Sequence, residues 1–135
     1  MDLTNTLHIA SAGMRTQGTR LRILSENVAN ADSLATKPGG RPYQRQLVTF
    51  ENTMNDQLGV KQVRIKDIEA DQSAFGREHR PGHPAADQDG YVLTPNVNSL
   101  IEMSDMREAQ RSYEANLKVI ESSRDMLRRT IGLLR

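Results

Sequence analysis

The chain has 135 residues, of which 36% are hydrophobic and only 4% aromatic, with two Phe, three Tyr and no Trp. That length suits one small domain or one with long extensions, and the shortage of bulky apolar volume argues against a large layered enzyme core. Eighteen basic against 17 acidic residues leave a net charge of +1, and cysteine is absent; no general field draws nucleic acid or an anionic membrane, and disulfides, thiol catalysis and Cys-ligated zinc are excluded.

The segment Met1-Asp2-Leu3-Thr4-Asn5-Thr6 has no basic n-region and no apolar run, so no cleavable secretory signal is expected. Nowhere does an apolar run reach the roughly 18 residues a transmembrane helix needs. The first predicted element is a helix from about Thr4 to Asn30. Leu3, Leu7, Ala10, Met14, Gln17, Leu21, Leu24, Val28 and Ala31 recur at alternating spacings of 4 and 3, which is a coiled-coil seam. Gly13 and Gly18 flank that seam, where a missing side chain lets another backbone approach.

The stretch from Asp32 to Pro42, rich in Pro and Gly, ends this helix. Tyr43 to Phe50, Val60 to Ile68 and Tyr91 to Leu93 read as short strands, and Ala74 to Asp89 as an ordered irregular loop. A second long helix is predicted from about Ser99 to Leu134. Its seam is Met103, Met106, Gln110, Tyr113, Leu117, Ile120, Arg124, Leu127, Ile131 and Leu134. Acidic Glu102 and Asp105 near its start, with Arg128, Arg129 and Arg135 near its end, suit the helix dipole.

The predicted fold class is therefore mainly α with a small β-rich insert. Residues 1–31 and 99–135 form long terminal helices pairing as a coiled coil; 32–98 form a linker and the insert. Each helix also carries apolar residues at position c, off the seam: Ile9 and Ile23 in the first, Val119, Met126 and Leu133 in the second. A single pair of helices leaves such stripes wet, so they are expected to face another subunit.

Signals for chemistry are weak. His79, His83, Asp87 and Asp89 cluster, but Pro81 and Gly82 break the helix that an i,i+4 ligand pair needs, so no metal, cofactor or catalytic residue is expected. Pro38-Gly39-Gly40-Arg41 lacks a P-loop ending. Glu121 and Asp125 interrupt the basic residues of the last helix, arguing against nucleic acid.

Ser25-Glu26-Asn27-Val28-Ala29-Asn30-Ala31-Asp32 resembles the motif ending the N-terminal helix in the flagellar rod and hook family, with Asn27, Ala29 and Asn30 as its signature. Pro38 to Arg45, the run Pro81-Gly82-His83-Pro84-Ala85-Ala86-Asp87, Gly90-Tyr91-Val92, Pro95-Asn96-Val97-Asn98, and Glu102–Met106 with Ala109–Asn116 are similar to the short proximal-rod members of that family. The resemblance implies a structural, non-enzymatic subunit of the bacterial flagellar basal body. Such a subunit leaves the cytoplasm uncleaved through the type III export apparatus. It assembles in the periplasm with other copies, other rod proteins and the inner-membrane ring, and its isolated termini are expected to be largely disordered. A soluble coiled-coil adaptor or chaperone is the alternative that the residues leave open.

Overall fold

A computed structural model describes residues 3–133. Two long helices and four strands follow one another as α1 (Leu3–Ala29), β1 (Gln46–Asn55), β2 (Val60–Ala70), β3 (Gly76–His79), β4 (Tyr91–Thr94) and α2 (Ser99–Leu133). The expectations for Leu134 and Arg135 lie outside the described residues.

Local chemistry sets the helix ends. Asn98 precedes α2, and its Oδ1 accepts from the backbone N–H of Leu100 (3.1 Å) and Ile101 (3.3 Å), which caps donors with no intrahelical partner. At the end of α1, Asn30 Nδ2 donates to Glu26 O (2.8 Å) and Ser33 Oγ donates to Asn30 Oδ1 (3.0 Å). The motif asparagine thus turns the chain out of the helix.

The helices pack antiparallel. Asn27 lies against Glu102, and Gly13 faces Asn116, two heptads along on each helix. The inner face of α2 is Glu102, Ala109 and Ser123, all buried, with Asn116 half-buried; on α1 it includes Ala10, Gly13 and Asn27, all buried. A Cβ on Gly13 would sit 2.8 Å from Asn116 Nδ2, whereas one on Gly18 would meet nothing within 4 Å. Gly13 is the residue that permits the close approach.

This face differs from the seam read in the sequence. Met106, Tyr113, Ile120 and Leu127 are half-buried along one flank of α2, but Met103, Leu117 and Ile131 are exposed, as are Gln110 and Arg124. On α1, Leu24 is buried and Leu7, Met14, Leu21 and Val28 are half-buried. Glu102 faces Asn27, and the inner line Glu102, Ala109, Asn116 and Ser123 lies one residue before the apolar line of Met103 and Leu117. Gln17 sits in the seam with its Oε1 buried and unpartnered. The last turns of α2 run past Leu3 on this register, and Leu133 is 87% exposed.

The other side of α1 receives the hairpin. β1 and β2 pair antiparallel, with Val48 opposite Ile68, Phe50 opposite Ile65 and Asn52 opposite Val63. Ile65 and Ile68 are three residues apart, so a regular strand would send them to opposite faces. A bulge between Thr49 and Phe50 restores both to one face. Gly59 (φ 62°) closes the turn, donating its N–H to Asn55 O at 2.8 Å; only glycine adopts that backbone at no steric cost. Thr16 Oγ1 lies 2.9 Å from Ala12 O and 3.3 Å from Val63 O, sharing one proton between helix and strand. Ile23, assigned from its spacing to an outward stripe, is 2% exposed and lines the groove beneath Val48 and Phe50. The subunit's own hairpin covers it.

β3 and β4 form a second antiparallel pair, with His79 opposite Tyr91. The region expected to be irregular therefore contains a strand. The insert holds two separate two-stranded sheets rather than three strands alone.

Matched Gly→Ala substitutions test the helix contact. Gly18→Ala is expected to stabilise the chain by up to about 1 kcal/mol, the propensity difference in an open helical position. Gly13→Ala forfeits that gain, because Asn116 must leave its 2.9 Å bond to Ser112 O. Equal gains in urea unfolding would show that the helices do not touch at Gly13.

Candidate functional site

The described residues contain one densely bonded polar junction, where the end of α1, the linker, the end of β2 and the start of α2 meet. Its centre is Asn27, 0% exposed. Asn27 Nδ2 donates to Gln46 O and to Glu102 Oε2, each at 2.9 Å, while Oδ1 accepts from Tyr43 Oη and from Gln46 N, each at 2.9 Å. Two donors and two lone pairs are the full capacity of the side chain. Nothing is left for water.

Glu102, also 0% exposed, accepts at its other oxygen from Arg45 Nε at 2.6 Å. A buried carboxylate is tolerable only when paired and hydrogen-bonded, and Asn27 with Arg45 meets both requirements. Arg45 reaches on to Asp71 Oδ2 at 3.3 Å. Its backbone N–H donates to Asn96 Oδ1 (2.8 Å) and its carbonyl accepts from Asp71 N (2.8 Å). Asn96 Nδ2 completes the frame through Asp71 O at 3.0 Å and Ser73.

The titration shifts follow this geometry. Burial would lower Arg45, but the Glu102 carboxylate and then Asp71 hold its guanidinium above its ordinary value. Burial pushes the Tyr43 hydroxyl up, aided by the negative charges of Glu26 and Glu102, so it remains the protonated donor that Asn27 needs. Asp71 is held below the usual carboxylate range, first by the N–H and side chain of Ser73, then by Arg45 against the opposing effect of burial.

The remaining sequence candidates fall elsewhere. Of the signature residues, Asn27 centres the junction, Asn30 caps α1, and Ala29 is exposed. His83 Nδ1 accepts from Ala85 N at 3.1 Å. His79 stands edge-on to Tyr91, with ring centres 5.1 Å apart, and Arg77 lies over the Tyr91 ring. Asp87 accepts from the N–H groups of Asp89 and Tyr91 and pairs with Arg77. These side chains brace a turn-rich loop, and among the described residues no three His, Cys, Asp or Glu side chains are grouped to hold a metal. No described helix is long and apolar enough to cross a membrane. Sequence reasoning missed Arg45 and Glu102 as a pair; the one available signal was an acidic residue following Asn96 and Asn98.

A family model described as "Flagellar basal body rod FlgEFG protein C-terminal" matches residues 88–133, which cover β4 and α2. The flagellar basal-body rod protein FlgC of Agrobacterium fabrum is 52% identical over 94% of this chain and 91% of its own length. Relatives of the same name from Borreliella burgdorferi and Salmonella typhimurium are 37% and 35% identical, over 99% and 98% of both chains. The chain belongs to the FlgC family of flagellar basal-body rod proteins. As a FlgC family member it is a structural subunit of the rod in the flagellar basal body.

The Asp71 shift has a pH signature. A carboxyl depressed in the folded state adds stability that is complete above its unfolded value and is lost as pH falls through the folded one. Asp71→Asn should therefore be less stable than the parent at neutral pH, and the difference should shrink below about pH 4. Urea midpoints that differ equally at both pH values would exclude an ionised Asp71 from the junction.

Proposed function

We propose that this rod subunit polymerises through its terminal helices into a hollow drive shaft that carries motor torque to the hook. In this reading residues 1–31 and 99–135 form an inner layer, pairing in coiled-coil fashion, and residues 32–98 lie outside it as part of the proximal rod. The subunit reaches the periplasm through the type III export apparatus. There it meets other copies, other rod proteins and the inner-membrane ring.

The observation that carries this reading is the outward face of α2. Val119, Met126 and Leu133 recur every seven residues and are 41, 46 and 87% exposed. The inner face is taken by Glu102, Ala109, Asn116 and Ser123, which leaves this stripe open among the described residues. Ile9 of α1 is exposed as well. Burying one such side chain is worth roughly 1.5–3 kcal/mol. Many helix contacts of that size, summed around a closed tube, make a stiff shaft without covalent links. Ile23 takes no part, being already covered by the hairpin.

Met126→Asp tests the assignment. A charge set against an apolar neighbour in a dry interface costs at least a few kcal/mol, while on a solvated face the change is nearly neutral. The variant should be made and exported yet build no rod, leaving cells non-motile. Normal swimming would remove the stripe from the interface.

A further inference from the structure

We infer that the contact between copies is heterologous: the line Met103, Leu117 and Ile131 on one flank of α2 packs against the stripe Val119, Met126 and Leu133 on the opposite flank of α2 in a second copy. The inference rests on the polymerising role proposed above and names the two surfaces that meet in it.

Met103, Leu117 and Ile131 are 50, 39 and 61% exposed, so the packing of α2 on α1 leaves a second apolar line uncovered. Met103 and Leu117 follow the inner residues Glu102 and Asn116 by one position, about 100° around a helix. Val119 and Met126 follow Asn116 and Ser123 by three positions, about 60° the other way. Ile131 and Leu133 continue the two lines at heptad spacing. The lines therefore stand about 160° apart, and one neighbouring helix cannot cover both.

Symmetry decides how two such lines are buried. A two-fold dimer sets one patch against itself and leaves the other wet, whereas mating one line with the other buries both and repeats from copy to copy. Spacing selects the occupant. Both lines repeat every seven residues, roughly 10 Å along a helix, so their side chains can interdigitate between parallel helices. The exposed hairpin residues Phe50 and Met54 stand about 13 Å apart along β1, out of step with that repeat. Helix α1 offers Ile9 alone among its described large apolar residues. Charge fits the same pairing. Arg124 sits in the first line, exposed and without a charged partner among the described residues, with Glu114 and Glu121 beside it. The second line has the opposite pattern: Asp125, loosely paired to Arg128 at 3.9 Å, shares a shallow depression with Met126, Lys118 and Arg129.

Disulfide trapping in assembled basal bodies tests the pairing, and a chain without cysteine brings no background of its own. Cells would co-express a Leu117→Cys chain with a Val119→Cys, a Met126→Cys or a Leu133→Cys chain, three partners that sample successive registers. Basal bodies are then purified and oxidised. Mixed dimers should form in at least one combination, because a bridge needs the two Cβ atoms close together. Each variant expressed alone should stay monomeric, since neither line meets itself. Dimers from a single variant, or rods that assemble and trap no mixed dimer in any combination, overturn the heterologous pairing and leave the rod reading standing. A parent chain absent from purified basal bodies overturns both. A second test needs no cysteine. Arg124→Asp should slow swimming severalfold, and adding Asp125→Arg to the same chain should restore it. Residues one apart on a helix do not face each other, so rescue reports a contact between copies. Normal swimming by Arg124→Asp, or failure of the double exchange to improve on it, counts against the pairing.

Discussion

An asparagine side chain removed from water must have all of its donors and acceptors met, and Asn27 meets them from three separate parts of the chain. Helix α1 supplies the residue, the linker supplies Tyr43 and Gln46, and α2 supplies Glu102. Much else in the architecture follows from that requirement. The linker must run back beside the end of α1, β1 must begin at Gln46, and α2 must start where Glu102 can reach. Arg45, Asp71 and Asn96 then secure the end of β2 to the same point. The small apolar core and scarce aromatics make such a polar tie valuable, because apolar burial alone supplies limited specificity in a chain of this composition.

The extent to which the sequence discloses this varies by element, and the reasons are physical. Both terminal helices are evident from sustained heptad spacing, although α2 (Ser99–Leu133) proves longer than α1 (Leu3–Ala29). The hairpin is marked by β-branched residues around Gly59. Gly76–His79 escapes notice because Arg77, Glu78 and His79 show no apolar alternation; every residue of that strand is exposed, and its partner β4 supplies the order.

The rotation of the helices is a different matter. Apolar periodicity locates bulky residues, so Met103 and Leu117 look like seam positions. The observed contact instead selects for small size at Gly13, Ala109 and Ser123 and for hydrogen bonding at Asn27 and Glu102. Neither property contributes to a hydrophobic pattern. A charged residue in the first turn of α2 reads naturally as a response to the helix dipole, and only the placement of Arg45 beside it reveals a buried pair. Resemblance to rod and hook proteins marks Asn27, Ala29 and Asn30 together, yet the structure gives them distinct parts. One satisfies a junction, one lies open on the surface, and one bends the chain out of its helix.

The size of the seam residues also bears on how readily the helices part and meet again. Alanine and glycine have no side-chain rotamers to freeze, and serine has few. Bringing Ala10 and Gly13 against the face that holds Ala109 and Ser123 therefore sacrifices almost no side-chain freedom at those positions. The side-chain entropy of closure falls instead on the flanking Leu24, Met106, Tyr113 and Ile120. Along that central line the backbones can approach with few side-chain arrangements to choose between, while the larger flanking side chains fix the register.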